Sequence, residues 1–146
     1  MLIRIAVLLL LTLPVLPAGP AQAQTAPAAS LASRVKAARW RQRVLLICAP
    51  TATDARLLKQ RALLQPARAG LTERDLLVRE LPWASLPAAD RNYLRQLGGS
   101  PDAFRVLLLG KDGGVKRRDT APVAPAALFA TIDGMFMRRQ EMKRVR

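Results

Sequence analysis

Histidine is absent from this 146-residue chain, and cysteine occurs once, at Cys48. The first absence excludes Ser-His-Asp and Cys-His machinery and any histidine metal ligand. The second excludes a CxxC pair and an intramolecular disulfide. Acidic residues are scarce, 10 against 24 Lys plus Arg, and lie scattered with no calcium-loop spacing, so neither a dedicated metal site nor a cofactor is expected. Aromatics are few, with two Trp, one Tyr and three Phe. Single-stranded nucleic acid is held by stacking bases on aromatic rings, and no nucleic-acid motif is present. The net charge of +14 therefore points to a partner other than nucleic acid. Anionic lipid or envelope polysaccharide needs only charge.

The N-terminus carries a targeting pattern. Met1 to Arg4 is a short positive region, Ile5 to Leu16 is apolar, and Pro17 to Ala23 closes on Ala21-Gln22-Ala23, an A-x-A cleavage signal. Twelve apolar residues interrupted by Pro14 are too few to span a bilayer core of about 30 Å, so cleavage after Ala23 and export to the periplasm or the extracellular space are expected. The only cysteine lies far from this segment, which excludes a lipobox. Residues 24–34, rich in Ala and small polar side chains, predict a flexible linker. Residues 35–146 are then one domain, long enough to bury a core without disulfides and with no further membrane span.

Within that domain the hydrophobic period alternates. Val44 to Ala49 is a continuous apolar run closed by Pro50, the pattern of a central strand buried on both faces. From Asp54 the apolar positions Leu57, Leu58, Ala62, Leu63 and Leu64 predict a one-sided helix ending before Pro66 or at Gly70. Leu76 to Leu81 predicts a second strand. Ser85 predicts the cap of a helix with Pro87 in its first turn, ended by Gly98-Gly99. Phe104 to Leu109, the turn Lys111-Asp112-Gly113-Gly114 and Val115 to Arg118 predict a hairpin with a polar edge strand. Pro125 opens a last helix with an apolar stripe through Leu128, Phe129, Ile132, Met135 and Phe136. The order β-α-β-α-β-β-α, an α/β class with helices on both faces of a mixed sheet, is the thioredoxin-like order.

Four segments carry a resemblance: Arg39-Trp40-Arg41-Gln42-Arg43 running into Val44 to Pro50, Gln60-Arg61-Ala62-Leu63-Leu64, Leu71-Thr72-Glu73-Arg74-Asp75-Leu76, and Leu108-Leu109-Gly110-Lys111-Asp112-Gly113-Gly114-Val115-Lys116. Together they resemble the domain of unknown function 4174, over nearly all of the chain after the targeting segment. That family comprises small exported bacterial proteins and domains of animal extracellular-matrix proteins such as equarin. The resemblance implies a thioredoxin- or peroxiredoxin-like fold and an exported location, and no settled activity.

Set beside thioredoxins, the chain lacks the sulfur. Their CxxC motif begins two residues after an Ala-Pro step, at a helix start whose dipole lowers the thiol pKa. Here those two positions are Ala52 and Ala55. Pro101 falls three residues ahead of Phe104 and is the position to compare with the thioredoxin cis-proline. Cys48, inside the apolar strand, is expected to be a structural thiol. The alternative is a thiol-dependent, peroxiredoxin-like redox enzyme using Cys48. Thr51, Thr53 and Asp54 mark a helix start that either binds an anion or simply caps the helix.

Basic residues are clustered. Arg34, Lys36, Arg39, Arg41 and Arg43 precede the first strand, Lys116, Arg117 and Arg118 lie on the edge strand, and Arg138, Arg139, Lys143, Arg144 and Arg146 form a tail. They are candidates for a polyanion contact, and equally for edge protection and helix-end charge. The expected function is a non-catalytic, exported binding or interaction module of the cell envelope, whose partner is an unidentified protein or an anionic envelope component.

Overall fold

A computed structural model describes residues 28–145. The expected cleavage site, the first part of the linker and Arg146 lie outside the described residues. A four-stranded sheet in the order β2-β1-β3-β4 forms the centre, from β1 (Arg43–Ala49), β2 (Leu76–Pro82), β3 (Arg105–Leu109) and β4 (Val115–Asp119). β1 pairs parallel with β2 and antiparallel with β3, and β3 pairs antiparallel with β4. This order and these directions fit the expected thioredoxin-like arrangement.

Helices cover both faces because β1 and β3 are apolar at every position but their first. On one face Leu45, Ile47, Val106 and Leu108 meet Leu57 and Leu64 of α2 (Ala55–Leu64), Leu71 of α3 (Arg68–Glu73), and Leu128 and Ile132 of α5 (Pro125–Asp133). On the other, Val44, Leu46, Cys48, Leu107 and Leu109 meet Leu31, Val35 and Ala38 of α1 (Leu31–Ala38) and Leu94 of α4 (Ala88–Leu97), with Trp83 beside them. Each fully buried Leu or Ile stabilises the fold by roughly 1.5–3 kcal/mol. No described helix is long and apolar enough to cross a membrane.

The structure departs from the sequence reading in five places. First, helix α1 begins inside the stretch expected to be a tether. Ser30 caps Ser33 N–H, and Asp90 of α4 accepts from Leu31 N–H at 2.8 Å, so residues 30–34 belong to the folded body. Second, the helix ends before Pro66 as expected, at Leu64, but a 3₁₀ turn at Gln65–Ala67 then carries the chain into a further helix, α3, that the sequence reading lacks. Pro66 is tolerated in the first turn of that segment, and a Cβ at Gly70 would lie 2.7 Å from the Phe129 ring, so any larger residue there must push that ring aside. Third, Pro87 rather than Ser85 precedes α4, and Ser85 sits in a 3₁₀ turn, Trp83–Ser85. The end is as expected, with Gly98 left-handed at φ 99°.

Fourth, the last helix is two. Gly134 closes α5, Met135 is extended at ψ 142°, and α6 (Phe136–Arg144) starts anew, so Phe136 leaves the apolar stripe and is 68% exposed. Fifth, no peptide bond among the described residues is cis, so Pro101 does not correspond to the thioredoxin proline.

Candidate functional site

Cys48 lies one residue from the end of β1 and is fully buried. Burial alone pushes its thiol up to about 12 from 9.0, because an apolar surrounding disfavours the thiolate. A thiol held neutral is a poor nucleophile. Alkylation of the native protein at pH 8 is expected to be slower than in urea by on the order of a hundred-fold, whereas fast labelling blocked by peroxide would restore the redox reading. Because the folded thiol ionises later than the unfolded one, its contribution to stability is complete below about pH 9 and is lost as pH rises toward about 12.

The helix start at Thr51, Thr53 and Asp54 is self-satisfied. Asp54 accepts from Arg56 N–H at 2.9 Å and from the Arg56 guanidinium at 3.0 and 2.7 Å. That side-chain hydrogen bond is the main cause holding its carboxyl down to about 2. A carboxylate already fills the place an anion would take, and Thr51 and Thr53 hydroxyls pair with each other at 3.3 Å.

The basic candidates divide. Strand pleating puts Lys116 and Arg118 on one side of β4 and Arg117 on the other, where it pairs with Asp119 at 2.8 Å. Lys116 pairs with Asp112 at 2.6 Å. Arg138 is buried, donating to Asp133 at 3.2 Å and to the Glu73 carbonyl at 3.1 Å, so it serves the fold. Arg139, Lys143 and Arg144 are exposed on α6.

The most chemically unusual place lies at the other end of the sheet, where β1 and β2 begin and β3 ends. The turn between α1 and β1 places Trp40 there, 65% exposed and left-handed at φ 64°, a conformation unfavourable for a bulky residue. Its N–H donates to the Lys111 carbonyl at 2.6 Å, which holds the turn against the β3–β4 hairpin. Asp75, just before β2, is also left-handed, at φ 47°. Beside the Trp40 turn lies a cleft of about 440 Å³, whose walls include Trp40, Met135, Phe136 and Met137 and whose floor includes Arg43 and Lys111. A depression of about 370 Å³ shares Trp40, Lys111, Phe136 and Met137 and adds Glu141 and Arg144.

The floor is an ion cluster. Arg43 is 1% exposed, and it grips the Glu141 carboxylate of α6 through Nη1 at 3.3 Å and Nη2 at 3.2 Å while Nη1 also donates to the Arg74 carbonyl at 2.9 Å. Lys111 Nζ lies 2.7 Å from Glu141 and 2.8 Å from Asp75. Burial raises the Glu141 pKa, but hydrogen bonds from Lys111 and Arg43 outweigh it and leave the carboxyl below its ordinary value. Arg43 Nε is buried with no hydrogen-bond partner, an unspent donor beside the cleft. The groove along β2, lined by Leu64, Val78, Arg61 and Glu80, has no comparable feature, since Arg61 and Glu80 satisfy each other.

The family described as domain of unknown function 4174 (DUF4174) matches residues 34–141, which takes in every cleft residue named above up to Glu141. The chain belongs to the DUF4174 family. Among curated proteins it is similar to coiled-coil domain-containing protein 80 of Danio rerio, 43% identical over 60 residues, which are 40% of this chain and 7% of that relative. The chain thus corresponds to a small part of that longer protein. Three of the four segments that carry the DUF4174 resemblance meet at the cleft, through Arg43, Asp75 and Lys111. In the sequence Arg43 belongs to a generic basic cluster, Lys111 to the hairpin turn and Phe136 to the apolar stripe of the last helix, and neither these nor Trp40 and Glu141 stand out as residues of one site. A charged residue directly ahead of a six-residue apolar run was the available signal, because such an arginine at a central strand is buried and must be paired.

Proposed function

We propose that this DUF4174 chain is an exported, non-catalytic binding module of the cell envelope or extracellular space, and that its ligand site is the Trp40–Phe136 cleft. The observation that carries this is Trp40, a large indole kept exposed and left-handed above two buried cations. Backbone in that region costs roughly 1–3 kcal/mol and persists where something other than stability requires it. Two exposed aromatics over a cationic floor suit a ligand with an apolar body and a negative head, the chemistry of an amphipathic envelope component. The absence of histidine and the buried Cys48 support a role without catalysis, and the targeting pattern of Met1 to Ala23 supports export, with a processed chain beginning at Gln24 as the product to find by N-terminal sequencing.

Calorimetric titration with octanoate, an apolar stem with an anionic head, tests the cleft. The parent chain is expected to bind it, and Trp40→Gly and Phe136→Ala each to weaken binding by about tenfold or more. Trp40→Gly should meanwhile be as stable as the parent or gain up to about 1 kcal/mol, since glycine adopts a positive φ freely. Unchanged binding with a clear loss of stability would make Trp40 a structural residue and remove the proposal.

A further inference from the structure

The Glu141 carboxylate already sits as a ligand head would. Its two oxygens receive the Arg43 fork at 3.2 and 3.3 Å and the Lys111 ammonium at 2.7 Å; both cations line the cavity walled by Trp40, Met135, Phe136 and Met137, and Glu141 itself lines the adjoining depression, which shares Trp40, Phe136 and Met137 with it. We propose that the cleft takes a small amphipathic carboxylate, and that Glu141 occupies the carboxylate position in the unliganded protein and is displaced, with its helix, when the ligand binds. This rests on reading the cleft as the ligand site and adds the ligand class and its built-in competitor.

Four observations support it. Arg43 is buried and its Nε has no partner, so the guanidinium keeps a donor that Glu141 leaves unused. The head is planar with two oxygens, the shape for which a guanidinium fork is suited. The exchange conserves charge, because one carboxylate leaves for water as another enters. The buried cations are therefore never left uncompensated, and the apolar stem against Trp40 and Phe136 decides the balance. Finally, α6 is separated from α5 by extended Met135, and Arg138 is its one buried residue. A nine-residue helix tied down chiefly by ion pairs is a suitable element to lift.

The experiment compares the full chain with Glu141→Gln in calorimetric titrations with octanoate, octanamide and inorganic phosphate, and follows amide hydrogen exchange of residues 136–144 in the parent with and without octanoate. Octanoate should bind Glu141→Gln about tenfold or more tighter than the parent, octanamide should bind both weakly and alike, and octanoate should speed exchange across α6 in the parent. Octanoate binding with no gain in Glu141→Gln and no faster exchange in α6 would overturn the displacement while leaving the cleft as a site. Phosphate competing as well as octanoate would overturn the amphipathic class. No binding of octanoate or octanamide to either chain would remove the cleft reading itself and this inference with it. The exchange measurement decides the matter should Glu141→Gln fold poorly.

Discussion

Urea unfolding of an Arg43→Ala chain is expected to show a loss of about 3 kcal/mol, from the cavity left by a large buried side chain and from hydrogen bonds to Arg74 and Glu141 that no other residue replaces. The remaining Glu141 is not stranded, being 25% exposed and still paired with Lys111, so the loss reports Arg43 itself. Arg43→Met, which fills most of the volume without a buried charge, should lose less than half as much. Equal losses in the two variants would show the guanidinium hydrogen bonds, rather than volume, to dominate. A loss under about 1 kcal/mol in Arg43→Ala would show that the cluster adds little to the fold.

Gln60→Ala is expected to cost a similar amount, about 3 kcal/mol, by a different route. Gln60 on α2 is fully buried, and its amide donates to the Val123 carbonyl at 2.9 Å and accepts from Val123 N–H at 2.7 Å. Those two bonds fix the connection from β4 to α5. Truncation strands both backbone groups away from water, at about 1–3 kcal/mol each when no rearrangement rescues them. Gln60→Leu keeps the volume and should still lose most of that stability, with faster amide exchange at Val123. A Leu variant as stable as the parent would mean the loop finds other partners.

Gln60 also shows where the sequence was hard to interpret. The one-sided helix over α2 is visible in its apolar spacing, yet Leu58 is 44% exposed and polar Gln60 takes the inward position. A backbone carbonyl and N–H arriving from a distant loop decide that choice, and no local pattern contains them. Strand β1 is legible because burial on both faces leaves an uninterrupted apolar run, and the hairpin because an Asp-Gly turn separates two strand-like segments. The break at Met135 is not, since Leu128 to Phe136 keeps a helical period across it; what favours the break is Gly134 and the arginines on Asp133. The cleft was the least legible part. A left-handed Trp40 has no sequence signature, and the chemistry that meets there comes from the turn before β1, β1 itself, the turn before β2, the end of β3 and helix α6.

The strand order has a consequence for how the molecule comes into being. β1 is an interior strand and buried throughout, yet it is synthesised before both neighbours: Leu45 pairs with Val78 on one side and Leu108 on the other. Until Leu108 has been added, at least one edge of a seven-residue apolar strand stays open, and closure depends on contacts far apart along the chain. Assembly of the sheet is therefore a late event. The interval between translation and that closure, rather than the finished fold, is when this protein is most open to aggregation through β1.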